Sequence, residues 1–142
     1  SYALNEDNAA SEAAHALRVV SGYHPTLGVF YDVEDTDYYS KNGLDISSAS
    51  GKSALNSFVQ IFTSTVSDAG YTTGVYMNWY YTQNIIDPSS YAGHQLWLAY
   101  WGDGTGKDCA CPTDSATLWQ YTNRGSVGGI SGAVDMDVLL IS

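Results

Sequence analysis

Basic residues are scarce in this sequence of 142 residues, which has five Lys and Arg against 15 Asp and Glu. The net charge of −10 argues against nucleic acid as a partner, because no basic patch could be assembled to neutralise phosphates. Long apolar runs are also missing, and without a stretch of about 18 apolar residues no segment is predicted to span a membrane. The opening residues show neither an initiator Met nor the pattern of a signal peptide, so no signal peptide is predicted in this chain.

Cysteine is limited to two residues, Cys109 and Cys111, in a Cys-Ala-Cys-Pro stretch. The three histidines are scattered without ligand spacing and no second pair of cysteines exists, so no metal site and no cofactor is expected. A disulfide across a single residue is geometrically possible in a tight turn, although it is strained. A local disulfide and two free thiols therefore remain equally open.

Aromatic residues are the main excess, with 12 Tyr and 4 Trp. Their flat apolar faces and polar edges suit stacking on sugars as well as packing in cores, and ordinary core packing explains most of them. The apolar content of 44% is enough for one hydrophobic core. We therefore predict that residues 1–142 form a single domain.

Two carboxylates follow a short apolar run in the stretch from Leu27 to Asp37. The run predicts a buried strand, and side chains two apart on a strand point to the same face, so Asp32 and Glu34 are expected to project together. Their mutual repulsion and partial desolvation would raise the pKa of one of them, which is how a general acid stays protonated near neutral pH. The alternative is that both are solvated loop acids.

Helical and strand patterns alternate along the chain, which predicts an α/β fold with parallel strands. The first predicted helix has its cap and first turn at Asn5 to Asn8, continues to Val20 and stops at Gly22. The second carries an apolar stripe from Leu55 to Val66 and ends at Gly70, and a weaker helix is predicted over Trp79 to Ile85. After the Asp32/Glu34 strand, further strands are predicted over Tyr71 to Asn78, Gln95 to Trp101, Leu118 to Thr122 and Val134 to Ile141, with a loop from Gly102 to Ser115.

Polar and aromatic side chains coincide with the predicted ends of these strands. In an α/β barrel the chemistry lies at the carboxyl ends of the strands, where the two acids, Asn78, Trp101, Tyr121 and Asp135 are expected to fall. This placement predicts a carbohydrate-like site with acid chemistry.

An ordered set of short motifs resembles glycoside hydrolase family 25, the Chalaropsis-type lysozymes that act as N-acetylmuramidases on peptidoglycan. The motifs are Tyr-Ala-x-Asn at the start, Asp32-Val33-Glu34, Gly74-Val75-Tyr76-x-Asn78, Trp97-Leu98-Ala99, Trp119-Gln120-Tyr121-Thr122 and Gly129-Ile130-Ser131-Gly132-x-Val134-Asp135. The resemblance covers nearly the whole chain. It implies an irregular, TIM-like (β/α) barrel that is incomplete here, with the first two strands and most of the third absent from a chain that corresponds to the C-terminal two-thirds of the domain.

The resemblance also implies roles for single residues. Glu34 matches the general acid, Asp32 the acid beside it, and Asp135 the acid on the last strand; the family's acid on its first strand has no counterpart in this chain. Tyr76, Asn78, Trp97 and Tyr121 match positions of the sugar groove. Trp101 stands where the family usually has Tyr, which keeps a stacking face.

The function implied by this resemblance is hydrolysis of the β-1,4 bond between N-acetylmuramic acid and N-acetylglucosamine, outside the cell or at the cell wall, as in secreted or phage-type lysins. Carboxyl separation distinguishes retaining from inverting chemistry, and acids two apart on a strand allow both; the resemblance favours retention. Two alternatives belong to other classes, namely a fragment or glycan-binding module that keeps the groove without the chemistry, and a structural protein with a solubilising acidic face. The open edges of an incomplete barrel also predict self-association.

Overall fold

The computed structural model describes residues 1–102 and 109–140. The elements of that part of the chain are α1 (Glu6–Val20), β1 (Val29–Asp32), α2 (Thr36–Lys41), α3 (Ala49–Asp68), β2 (Thr73–Asn78), α4 (Trp79–Asn84), a 3-10 helix (Pro88–Tyr91), β3 (Gln95–Ala99), β4 (Leu118–Gly125) and β5 (Val134–Leu139). The predicted loop from Gly102 to Ser115 lies partly outside the described residues, as does the end of the predicted last strand at Ile141.

The five strands form one sheet in the order β1-β2-β3-β4-β5. The first three pairings are parallel, as the alternation of helices and strands predicted. The expectation of parallel strands was wrong for β5, which pairs antiparallel with β4. The physical reason is that the connection from Gly125 to Val134 is shorter than the dozen or so residues that a parallel crossover needs.

The helices begin where polar side chains cap them. Asn5 accepts a hydrogen bond from the Asn8 N–H over 2.8 Å at the start of α1, and Ser48 accepts one from the Gly51 N–H over 3.0 Å at the start of α3. The α3 helix therefore starts at Ala49, earlier than its apolar stripe indicated, because a side-chain cap determines a helix start independently of the buried face.

Helices α1 and α3 pack against each other, and α3 lies on β1 and β2. The core between them takes the apolar stripe of α3 together with alternate residues of the parallel strands; among its members are Leu55, Phe58, Val59, Phe62, Val66, Tyr31, Val75, Met77, Leu96 and Leu98. The opposite face of the sheet carries the polar and aromatic residues described below. None of the described helices has the length and apolar character needed to cross a membrane.

The sheet is open in the described residues, with β1 and β5 at its two edges. A mostly parallel sheet with helix α3 packed on its first two strands agrees with the predicted (β/α)-barrel type of fold. Because β5 runs antiparallel, its first residues lie at the same end of the sheet as the carboxyl ends of β1 to β4.

Candidate active site

The candidate site begins where β1 ends. Tyr31 and Val33 are 2% and 0% exposed in the core, so the intervening Asp32 and the following Glu34 project from the opposite face of the sheet. The Val33 N–H donates to the Tyr76 carbonyl over 2.9 Å, and this bond continues the pairing one residue beyond the end of β1. Glu34 is thereby held next to the sheet although it lies outside the strand.

Four carboxylates converge on a pocket of about 330 Å³ at this end of the sheet. We call it the carboxylate pocket; its lining residues are Phe30, Asp32, Glu34, Tyr76, Trp97, Gln120, Asp135 and Asp137. Asp135 and Asp137 stand two apart on β5 and so share a face of that strand. The antiparallel direction of β5 brings this acidic pair to the same pocket as Asp32, the last residue of β1, and Glu34, which follows it.

Desolvation and like charges raise the pKa of Asp32 and of Glu34, the two acids at the end of β1. Burial raises the pKa of Glu34, and Asp32, Asp135 and Asp35 raise it further, with the terminal amino group opposing them. Burial likewise raises the pKa of Asp32, with Asp35 and Glu12 adding to the shift against the same amino group. Both side chains still reach solvent, so the desolvation is partial. Each carboxyl consequently stays protonated to a higher pH than it would in water.

The indole of Trp97 forms one wall of the carboxylate pocket. Its ring lies edge-on to Phe30, with centroids 5.4 Å apart, and to Tyr76, with centroids 5.2 Å apart. Its Nε1 donates to Oδ1 of Asp137 over 2.7 Å. With two edge-to-face contacts and one hydrogen bond, the ring is fixed as a flat surface beside the acids.

A second pocket of about 380 Å³ adjoins the first and shares Glu34 with it. We call it the aromatic pocket; its lining residues are Glu34, Asn78, Trp79, Tyr80, Ala99, Tyr100, Trp101 and Gly102. The Asn78 side-chain oxygen accepts the Tyr81 N–H over 3.1 Å and caps α4, so part of this side chain serves the local fold. Trp79 packs edge-on against Tyr100 with centroids 6.1 Å apart.

The structure brings the sequence-predicted residues to these two pockets with one exception. Tyr121 lines neither. It follows Gln120 on β4, and successive strand residues point to opposite faces. Its ring lies 5.8 Å from that of Trp119, whose Nε1 donates to the Tyr100 carbonyl.

Three residues of the carboxylate pocket were missed in the sequence, namely Phe30, Gln120 and Asp137. Same-face spacing would have found Asp137, which stands two residues after Asp135. The signal for Gln120 was weaker: it is a polar residue that shares one face of the β4 strand with Leu118 and Thr122, two residues away on either side. Phe30 looked like an ordinary core residue of an apolar run.

A larger cavity of about 720 Å³ lies at the other end of β4 and β5, where Thr117 starts the approach to β4 and Leu139 ends β5. Asp114 is the one ionisable carboxyl among its described lining residues. Chemistry rather than volume therefore selects the pair of pockets that meet at Glu34. Among residues 1–102 and 109–140, no group of His, Cys, Asp or Glu is arranged to hold a metal ion.

Acids and aromatic rings meet at the carboxyl ends of the parallel strands, the end at which folds of the (β/α)-barrel class carry their active sites. The sequence model of Glycosyl hydrolases family 25 matches residues 1–130 of this chain. The chain therefore belongs to glycosyl hydrolase family 25. Strand β5, with Asp135 and Asp137, lies beyond the matched range. The sequence has no significant match among curated proteins.

Solved structures share the fold. The modular autolysin LytC from Streptococcus pneumoniae is 23% identical, with a TM-score of 0.74 over 96% of this chain and 31% of its own. The spore cortex lytic enzyme SleM from Clostridium perfringens is 19% identical, with a TM-score of 0.72 over 96% of this chain and 45% of its own. A family 25 glycosyl hydrolase from Bacillus anthracis is 17% identical, with a TM-score of 0.59 over 100% of this chain and 61% of its own. The chain thus spans less than two thirds of the length of each.

Proposed function

We propose that this chain cleaves the β-1,4 bond between N-acetylmuramic acid and N-acetylglucosamine in peptidoglycan, with Glu34 as the general acid. The observation that carries the proposal is the position of Glu34 at the boundary of two adjoining pockets. A glycan strand lying across both pockets would place one glycosidic bond beside this carboxyl. The raised pKa of Glu34 favours the protonated form that a general acid requires.

The carboxylate pocket suits the sugar on which positive charge develops. Glu34 delivers its proton to the leaving oxygen while the bond to the anomeric carbon breaks. The side chains of Asp32 and Asp135 then stabilise the positive charge that spreads over the ring. A water molecule supplies the hydroxyl to the anomeric carbon and its proton to Glu34, so the net reaction consumes one water and restores the enzyme.

The aromatic pocket suits the sugar that leaves. Trp101 is 38% exposed and Tyr80 is 59% exposed, and such accessible rings offer stacking faces to a pyranose. Two proteins of similar structure support the substrate class: LytC is an autolysin, and one of its structures contains a synthetic peptidoglycan ligand, whereas SleM is a spore cortex lytic enzyme. We therefore place the action of this chain at the cell wall, outside the cell.

Product analysis tests the proposal. Purified peptidoglycan is incubated with the chain, the new reducing ends are reduced with borohydride, and the sugar alcohols are identified after acid hydrolysis. We expect muramitol, because cleavage after N-acetylmuramic acid frees that residue. Glucosaminitol instead would contradict the bond assignment. Binding to the insoluble wall without any new reducing end would favour the glycan-binding alternative.

A further inference from the structure

Gln120 is a buried glutamine that joins the two pockets. It lies on β4 with only 3% of its surface exposed. Its Oε1 accepts hydrogen bonds from the Tyr76 hydroxyl over 3.2 Å and from Trp101 Nε1 over 2.9 Å. Tyr76 lines the carboxylate pocket and Trp101 the aromatic pocket. One carboxamide oxygen thus connects a residue of each pocket.

These two bonds fix which way the carboxamide of Gln120 faces. An indole Nε1–H can only donate, so the atom facing Trp101 must be the oxygen. Burial and the charge of Glu34 raise the pKa of Tyr76, which keeps its hydroxyl a donor as well. The Nε2 atom of Gln120 therefore points away from both rings, and it has no hydrogen-bond partner among the described residues.

Apart from Gln120 Nε2, the polar side-chain groups that line the carboxylate pocket are hydrogen-bond acceptors or donors that already have a partner in the protein. Its Asp and Glu side chains accept when ionised. Trp97 Nε1 is already bonded to Asp137, and the Tyr76 hydroxyl is bonded to Gln120. Among the lining residues, all of which lie in the described part of the chain, the Nε2 of Gln120 is the side-chain N–H group left for a ligand.

We propose that Gln120 Nε2 donates a hydrogen bond to the carbonyl oxygen of an N-acetyl group on the sugar in the carboxylate pocket, which makes Gln120 a residue that selects N-acetylated glycan. A sugar hydroxyl can satisfy itself by donating to the carboxylates, whereas a carbonyl oxygen accepts only and needs this donor. A negatively charged substituent would be repelled by the surrounding acids, so a neutral amide is the acceptor that fits. The inference rests on the proposed function for the glycan that it names.

Equilibrium binding of two neutral tetrasaccharides tests the inference without requiring hydrolysis. The probes are the β-1,4 tetramers of N-acetylglucosamine and of glucose, which differ at each ring by an acetamido group in place of a hydroxyl. The measured quantity is the ratio of their dissociation constants, obtained by calorimetry at pH 8 on the full chain. For the parent chain we expect tighter binding of the N-acetylated tetramer.

Two variants remove the donor in different ways. Gln120→Glu keeps an oxygen for Tyr76 and Trp101 and, when ionised, has no N–H or O–H to donate, whereas Gln120→Met keeps only the side-chain length. We expect the preference for the N-acetylated tetramer to fall by about 3- to 10-fold in both, the effect of one hydrogen bond to a neutral group. Gln60→Glu makes the same chemical change on the exposed surface of α3 and serves as the matched control, with an unchanged ratio expected.

The outcomes separate this inference from the proposed function. If both Gln120 variants retain the parent ratio, or if the parent binds the two tetramers equally or not at all, the inference is overturned even where peptidoglycan is cleaved. If the parent chain does not cleave peptidoglycan but still prefers the N-acetylated tetramer, and this preference depends on Gln120, the inference stands and the proposed hydrolytic function falls. Should Gln120→Met fail to fold, Gln120→Glu decides, because it retains both hydrogen bonds to Oε1. A merely structural role would weaken both tetramers equally and leave their ratio unchanged.

Discussion

Trp97 on β3 donates a hydrogen bond from Nε1 to Oδ1 of Asp137 on β5 over 2.7 Å, across the intervening strand β4. The bond ties the antiparallel strand to the parallel part of the sheet within the lining of the carboxylate pocket. Burial raises the pKa of Asp137 and Asp135 adds to it, while the bond from Trp97 opposes the shift. Asp137 thus orients the indole ring of Trp97 that forms a wall of the pocket, and the hydrogen bond from Trp97 in turn favours the ionised form of Asp137.

Replacing Asp137 should loosen this wall. Asp137→Ala removes the acceptor of Trp97, and we expect binding of the N-acetylglucosamine tetramer to weaken about tenfold, in line with the loss of a hydrogen bond to a charged group. Asp137→Asn keeps an oxygen for the indole and should stay within about threefold of the parent. Calorimetric titration measures both. Equal binding by the alanine variant would show that Trp97 holds its position without Asp137.

Glu34→Gln should remove hydrolysis while leaving the pocket shape in place. We expect cell-wall clearing, followed by turbidity, to fall by roughly 10² to 10⁴, the usual contribution of a general acid. Asp37→Asn is the matched control, because Asp37 lies nearby on α2 in an exposed ion pair with Lys41; its clearing rate should equal that of the parent. Retention of activity within a few-fold by Glu34→Gln would remove this residue from the role.

Stability should also depend on the ionisation of Glu34. Its pKa in the folded chain lies above the ordinary value of 4.5 that applies to the unfolded chain. At a pH between 4.5 and this raised pKa, the folded state therefore binds more protons than the unfolded state. Stability contributed by this group therefore falls as pH rises through that window. At pH 7 we expect Glu34→Gln to melt at a higher temperature than the parent, with the difference disappearing below pH 4.5, where both side chains are neutral. A melting temperature lowered at pH 7 would contradict the sign of the shift.

The parallel core of the fold could be predicted from sequence because its signals are local. The apolar stripe of α3 and the short apolar runs of β1 to β3 each specify their own element and face. The direction of β5 could not be predicted from its own residues, since a strand pattern has no polarity. Only the shortness of the connection from Gly125 to Val134 indicated an antiparallel return.

The candidate site was predictable where residues follow strand ends or match short motifs, as for Asp32, Glu34 and Asn78. Tyr121 was selected both by its place near a predicted strand end and by its motif, yet the two-residue period of β4 turns it away from the pockets and turns Gln120 towards them. The partnership of Trp97 with Asp137 depends on strands far apart in the sequence. No local pattern could have indicated it.

Cys109 and Cys111 are unbridged thiols in the structure, which favours one of the two alternatives that the sequence left open. The Cys111 Sγ lies 3.2 Å from the Thr113 carbonyl and donates to it. We expect a reducing agent to leave the melting temperature unchanged, and a disulfide across one residue would in any case constrain the unfolded chain weakly. Thiol titration of the denatured protein should find both groups. A large fall in melting temperature on reduction would show that the cysteines pair with something else.

The two edges of the sheet should make this chain self-associate. In the described sheet β1 and β5 each pair with a single strand. The Ser1 amino group donates to the Asp32 carbonyl and so covers one end of the β1 edge, but the remaining outer N–H and C=O groups of an edge strand can pair with another chain. The β5 edge is also apolar, with Val138 and Leu139 40% and 42% exposed. Light scattering on the purified chain should therefore give a mass above the 15.3 kDa of the monomer. Val138→Lys should shift it towards the monomer because a lysine on an edge strand opposes pairing, whereas Gln60→Lys on α3 should not. A compact monomer of the parent chain would contradict association through these edges.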